Sequence, residues 1–382
     1  MKNQTKAIDT PFGQRDAYGS LSMPVYHTAA YEFDTAADMA DAFTGKVIAP
    51  DYSRVLNPTV MYLEDKVKAM TGAANVMALS SGMAAISNTI LALSAAGKNI
   101  VTSRHMFGNT FSLITESMPR FGVEARPCDL LNLDEVRSKM DANTCCIFLE
   151  IITNPQMEVA HEYGVPLIAD TTVIPFTQFS AKDLGVDIEV VSSTKYLSGG
   201  ATTLGGLIID YGTAEGFGHK MKNEMLFNFG AYMTPHVAYM QSLGLETLDA
   251  RYRVQSQNTI YLANRLRELP QIKSVNYVGL ADNPFHDIVV AQYGKTAGAM
   301  MTIDLESKEA AFNMINNLKL VRRATNLFDN RTLAIHPAST IFGNFSDEER
   351  RKMDVLDTTV RISVGLEDMD DVFEDIKQAV EC

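Results

Sequence analysis

The chain has 382 residues, 46% hydrophobic and 21% charged, enough to bury a sizeable core and to form two domains. Its formal net charge of -13, with no long Lys/Arg run to offset it, argues against a nucleic-acid surface and says little about small anions, which local groups hold. The N-terminus "MKNQTKAIDT" has no apolar signal core and no apolar run approaches membrane-spanning length; Cys128, Cys145, Cys146 and Cys382 show no CxxC spacing, so a reduced, cytoplasmic setting is expected.

Residues 1–50 are rich in Ala, Thr and Asp with scattered aromatics and no strong strand pattern, which predicts an arm lying on something else. From Ala73 the rhythm changes. "ANVMALSSGMAAIS" reads as strand, tight small-residue turn and helix, and the alternation repeats through "KNIVTSRHMFGNT", "TCCIFLEIITNP", "VPLIADTT" and "DIEVVSSTKY". Alternating strands and helices predict an α/β fold, a mostly parallel sheet with helices on both faces, over residues 51–235. From 236 to 382, long helical segments such as "NTIYLANRLRELP" and strands such as "GAMMTIDL" and "TTVRISVGLE" predict a smaller C-terminal α+β domain.

Ligands of open α/β sheets bind beyond the carboxyl ends of the strands. Those ends carry Ser80, Ser81 and Gly82; Arg104, His105 and Phe107; Glu150 and Asn154; Asp170; and Ser192, Thr194 and Lys195. A lysine closing a buried strand either escapes to solvent along its own stem or is used in a cleft. In "LSSGMAAIS" the turn at Ser81 and Gly82 aims backbone amides outward at a helix start, a phosphate cup without a P-loop lysine, although small residues also open helices for packing alone. A phosphate cup, a strand-end carboxylate and a strand-end lysine together suggest pyridoxal phosphate: a Schiff-base lysine, an acid for the pyridine nitrogen, an aromatic to stack on the ring and an anion site.

Seven motifs, "YSRVLNPT", "SSGMAAI", the "NP" after Glu150, "ADTT", "SSTKYLSGG", "HPAST" and "VRISVGLED", stand in an order that resembles the cysteine and methionine metabolism family of pyridoxal-phosphate enzymes, over nearly the whole chain. The resemblance implies a fold-type I transferase in which Lys195 is the Schiff-base lysine and proton shuttle, Asp170 the pyridine partner, Phe107 the stacking ring and Asn154 a neighbour of the ring hydroxyl. Ser81, Gly82 and Met83, with the hydroxyls of Ser192 and Thr194, would hold the phosphate. Tyr52 and Arg54 resemble a pair that crosses to a neighbouring subunit's phosphate, which implies a site shared in a dimer and a homotetramer. Arg361 resembles the arginine that grips a substrate carboxylate, and Asn326 falls in the substrate-facing segment. Read in isolation, Arg361 in its alternating strand could face solvent, Arg54 could pair with an acid, Asp170 could cap a helix, Asn154 could mark a turn, and His105 and His336 are structural.

Phe107 stands where many relatives have tyrosine, Asn109 where γ-lyases tend to carry cysteine, and Asn326 where many γ-synthases and lyases have serine; the motifs are most similar to the O-acylhomoserine sulfhydrylases. Phe328 takes the place of a common glycine and Arg331 that of a frequent lysine. The resemblance therefore implies γ-replacement, O-acetyl- or O-succinyl-homoserine plus sulfide giving homocysteine in methionine biosynthesis and transsulfuration. A γ-lyase, a cystathionine γ-synthase with cysteine as the thiol, and a non-catalytic cofactor-binding protein are the alternatives. The stretches 155–169 and 211–226 look short for the helices the family carries there.

Overall fold

The computed structural model describes residues 1–11, 16–151, 156–294 and 296–382. Two sheets organise it. The larger contains β1 (Asn75–Leu79), β2 (Asn99–Ser103), β3 (Glu124–Cys128), β4 (Thr144–Glu150), β5 (Leu167–Asp170), β6 (Ile188–Val191) and β7 (Gly206–Asp210), in the order β1-β7-β6-β5-β4-β2-β3. The pairs among β2 to β6 are parallel, as the strand and helix alternation predicted, whereas β7 runs antiparallel to both β1 and β6. Near-continuous Val, Ile and Leu content reflects burial on both faces. Val101, Ile147, Leu149, Leu167 and Ile209 belong to one core, and Ile100, Phe148, Ile168, Ile188 and Ile208 to the other.

The smaller sheet follows in sequence: β8 (Ser274–Asn276), β9 (Met300–Asp304), β10 (Arg322–Arg323), β11 (Leu333–Ile335) and β12 (Thr359–Ser363), in the order β10-β11-β12-β9-β8. The terminal helix Met369–Glu381 lays Val372, Phe373, Ile376 and Ala379 on it, an i, i+3/i+4 stripe typical of an amphipathic surface helix. Between the two sheets run the helices Pro235–Glu246 and Leu248–Leu266. Leu245, Leu248 and Tyr252 pack into the large-sheet core, and Leu262, Ala263 and Leu266 into the small-sheet core, so the second helix bridges both.

The N-terminal segment begins with a short helix, Asn3–Asp9, whose Ala7 is buried and whose Gln4 side chain donates to the Glu246 carbonyl. Residues 16–50 have little of their own to lie against: Tyr18, Leu21, Phe43, Val47 and Ile48 are all exposed. The two stretches that looked short differ. Gln156–Glu162 forms a seven-residue helix, while Phe217–Phe229 runs as continuous helical backbone with a π-type middle.

Candidate active site

Because β7 is antiparallel to β1 and β6, the C-terminal ends of β1 and β6 and the N-terminal end of β7 share one edge with the ends of β5 and β4. Register places them in a row: Leu79 opposite Gly206, Val191 opposite Leu207, Asp170 opposite Val190, and Glu150 opposite Asp170. The polar rim read from the strand ends is thus one surface.

At one end of the row, Ser81 is extended and its hydroxyl accepts from the Ala84 amide, capping the Gly82–Leu93 helix. The amides of Gly82 and Met83, in the first turn, have no intrahelical acceptor, an arrangement at a helix start that favours an anion. The turn is tight. A Cβ on Gly82 would fall 2.6 Å from the Ser192 Cβ, and one on Gly206 would collide with the Ser81 carbonyl, so β1, β6 and β7 converge more closely than side chains allow. The Ser192 amide donates to the Thr172 hydroxyl at 2.8 Å. Thr194's hydroxyl is engaged with Gly205, accepting from its amide at 3.0 Å and meeting its carbonyl at 3.2 Å.

The middle of the row is acidic. Asp170 Oδ1 accepts from the Thr172 amide at 3.0 Å, and Glu150 Oε1 accepts from the Phe107 amide at 2.7 Å. Burial and then the Asp170 charge push Glu150 up to about 8, while Asp170, also raised by burial, is held toward its anion by Thr172 and Lys195. The Phe107 ring is 41% exposed at the mouth, tethered through its backbone to Glu150. Asn154 lies outside the described residues.

Lys195 sits just past β6, half-buried, and its Nζ donates to Asn326 Oδ1 at 2.9 Å. Burial, then the nearby Arg361 charge, lowers its proton affinity, and Asp170 opposes them. Behind it the Tyr196 ring stacks on Phe328 at 4.0 Å and 10°. Phe328 holds a left-handed φ of 56°, a conformation that explains a glycine at this place and costs a phenylalanine energy. Arg361, on β12 opposite Thr302 and Ile335, is not an outward surface arginine: it is 9% exposed, and burial lowers its proton affinity to about 10 with no carboxylate offsetting the shift among the described residues. A buried guanidinium with no ion-pair partner among the described residues is costly until an anion pairs with it.

The Arg54 guanidinium lies 4.9 Å above the exposed Tyr52 ring, and its buried Nε has no hydrogen-bond partner. Its stem lies against Gly230, next to Ala231, whose carbonyl accepts from the Ser80 amide. The histidines are structural. His336 is buried, with Nε2 donating to the Asp357 carbonyl and Nδ1 facing the Ser339 hydroxyl, and His105 meets Asp354 in solvent. Asn109, in the first turn of a short helix, and Arg331, paired with Asp329, contribute no contact to the row. Among the described residues no cluster of three His, Cys, Asp or Glu side chains suits a metal ion.

Sequence reading gave Glu150 a place but no role, and it passed over Glu189, Thr172 and Tyr211. The one available signal was a carboxylate inside the apolar run "IEVV".

A mostly parallel open sheet whose strand ends gather a tight glycine turn at a helix start, an acid and a lysine defines a fold-type I pyridoxal-phosphate enzyme, and the residues present fit that cofactor: helix-start amides, a glycine no side chain could replace, and a buried arginine with no ion-pair partner among the described residues. The Cys/Met metabolism PLP-dependent enzyme family matches residues 4–381, and the chain belongs to it; its cofactor is pyridoxal phosphate. It is 34% identical, over 96% of its length and 95% of the relative, to L-methionine gamma-lyase of Fusobacterium nucleatum subsp. nucleatum. It is 32% identical to O-succinylhomoserine sulfhydrylase of Pseudomonas aeruginosa, over 96% of this chain and 92% of that one. Among solved structures, one from Campylobacter jejuni, described as an O-acetylhomoserine (thiol)-lyase with a pyridoxyl-lysine monophosphate, superposes with a TM-score of 0.95 at 31% identity over 100% of both chains. O-acetylhomoserine sulfhydrylase of Wolinella succinogenes is 41% identical over 86% of this chain and 99% of that one, with a TM-score of 0.75. Relatives are thus divided between sulfhydrylases and lyases.

Proposed function

We propose that the protein catalyses γ-replacement, converting O-acetyl- or O-succinyl-homoserine and sulfide to homocysteine and the carboxylic acid. The observation that carries this reading is Phe107, a ring without a hydroxyl, tethered to Glu150 at the mouth of the row. A departing thiolate benefits from a proton donor at that place, whereas a carboxylate leaves as a stable anion and needs less help.

When bound, pyridoxal phosphate supplies an electron sink for negative charge at the amino acid's α-carbon. In this reading Ser81 and the Gly82 and Met83 amides, with the Ser192 and Thr194 hydroxyls, would hold its phosphate, and Asp170 would hold a proton on the pyridine nitrogen. Asn154, outside the described residues, is assigned to the ring hydroxyl by resemblance alone. Lys195 would anchor the cofactor and, as a free amine, would take the α-proton, its lowered proton affinity favouring the neutral amine that this needs. Arg361 receives the α-carboxylate and Asn326 orients the freed Lys195 amine.

Tyr52 and Arg54 are assigned to the phosphate of a second copy, making the site complete in a dimer and the protein a tetramer. The exposed apolar arm over residues 16–50 and the orphaned Arg54 Nε support this. Residues 51–235 form the cofactor domain and 236–382 the small domain. A reducing, cytoplasmic setting accords with Cys145 and Cys146, adjacent and unbridged.

The second reading is a γ-lyase, favoured by the 34% identity to methionine gamma-lyase. Cofactor-loaded protein with each acyl-homoserine, with and without sulfide or cysteine, separates the readings by product. Homocysteine that requires sulfide establishes replacement, cystathionine from cysteine names a synthase, and 2-oxobutyrate dominating in the presence of sulfide establishes the lyase.

A further inference from the structure

Glu189 lies in the middle of β6 and is completely buried. Its register partner on β5 is Ala169, so strand alternation sets its side chain on the face opposite to that of Asp170, one residue along. There Oε1 accepts from the Thr171 hydroxyl and Oε2 from the Tyr211 hydroxyl at 2.8 Å. Thr171 directly follows Asp170 and its amide donates to the Val190 carbonyl, so the acid and its holder are fixed to the same two strands that carry Asp170 and Lys195.

An acid at this depth is unusual, since the surrounding residues Ala169, Val191 and Ile209 are apolar. No cation neutralises it among the described residues. The titratable groups that face it are Asp170 across the sheet and Tyr211 past β7; Glu150 and Lys195 lie beyond Asp170, and Asp183 acts on Tyr211 from the other side. Burial raises Glu189 to about 7, against the two hydroxyl donors and with the help of the Asp170 charge.

We infer that Glu189 is a positioning residue for the cofactor: fixed by Thr171 and Tyr211 behind Asp170, it governs through its own ionisation how firmly Asp170 retains the proton on the pyridine nitrogen. When Glu189 ionises, a second negative charge is added behind Asp170, and the proton shared by Asp170 and the ring is held more tightly. When Glu189 is neutral, that reinforcement is absent. The inference rests on the assignment of Asp170 to the pyridine nitrogen and is independent of whether the reaction is replacement or elimination.

The test is the absorbance spectrum of cofactor-loaded protein followed through neutral pH, for wild type, Glu189→Gln, Tyr211→Phe and Asp170→Asn. Wild type is expected to show a step near neutrality that Glu189→Gln loses. Tyr211→Phe, which removes one donor to the carboxylate, should move the step to higher pH. A wild-type spectrum without the step, or a step left in place by Glu189→Gln, overturns the inference. If Glu189→Gln fails to fold or load, Tyr211→Phe decides alone, and an unmoved step overturns it. Asp170→Asn separates the two levels: a wild-type spectrum and turnover there would sink the Asp170 assignment itself, whereas a defective Asp170→Asn beside an unaltered Glu189→Gln sinks the role of Glu189 only.

Discussion

Lys195 Nζ donates to Asn326 Oδ1 at 2.9 Å across 131 positions of sequence, so the loop beyond β6 and the segment leading to β11 meet at a single amine. If the amine shuttles a proton, its orientation depends on that carbonyl oxygen. Lys195→Ala should abolish turnover. Asn326→Ala, which deletes a hydrogen bond to a charged or chargeable group, should lower kcat about 10- to 100-fold, and Asn326→Ser should recover part of the loss. Steady-state kinetics on both variants checks this, and an unchanged kcat in Asn326→Ala would remove the residue from the chemistry.

Arg361 is buried without an ion-pair partner among the described residues, which suits a planar, bidentate grip on a substrate carboxylate. Arg361→Lys keeps the charge and loses the fork. KM for the acyl-homoserine should rise by about 10-fold or more, with cofactor absorbance intact. A KM equal to that of wild type would place the carboxylate elsewhere.

At Gly82, a methyl group would sit 2.6 Å from the Ser192 Cβ, and Ser192 is held by its amide's hydrogen bond to the Thr172 hydroxyl. Gly82→Ala should cost about 1 to 3 kcal/mol of stability and weaken cofactor retention. Thermal melts with and without pyridoxal phosphate measure both effects; a variant that melts and binds like wild type would show that the cup has slack.

Phe328 sets two terms against each other. Its left-handed backbone is strained by about 1 kcal/mol or more, yet its ring is buried and stacked on Tyr196, next to Lys195. Removing a buried ring costs about 3 to 5 kcal/mol, so packing outweighs strain. Phe328→Gly should destabilise by about 2 to 4 kcal/mol, measured by denaturant unfolding, and lower kcat because the Tyr196 ring loses its support.

In the terminal helix, burial works against ionisation of Asp375, but the amides of Val321, Lys319 and Leu320 and the Gln378 side chain outweigh it, so its carboxyl stays below the usual range. The native state therefore releases this proton more readily than the unfolded chain. Its contribution is complete above the ordinary aspartate value of 3.8 and fades as pH falls through the lower native one. Asp375→Asn should destabilise at neutral pH and differ little from wild type in strong acid, as read from melts across that range.

The row of strand-end residues was legible because strand ends are marked twice: an apolar run stops, and a polar residue stands where packing gives no reason for it. Asp170 after "LIA" and Lys195 after "IEVV" carry both marks. Burial of Arg361 was not legible from "TVRIS", since alternation shows that a residue changes face without showing what covers that face. Antiparallel β7 was equally hidden, because "GLIID" reads the same in either direction. Glu189 was missed because a run of four reads as apolar when three members are, and its two hydroxyl donors come from distant positions.

The reversed direction of β7 has a mechanical consequence. From β1 to β5 helices separate successive strands, but the chain that leaves β6 at Val191 makes only a three-residue helical turn before it is back in the sheet at Gly206, opposite Leu79. Lys195 therefore rides on a short staple with both legs driven into the sheet, one of them touching the Ser81 carbonyl. Lys195 and the Gly82 turn cannot drift apart without pulling a strand. New chain termini or a lengthening insertion placed between Tyr196 and Leu204 would cut that staple, whereas the same surgery in the exposed turn around Gly164 would leave the spacing untouched.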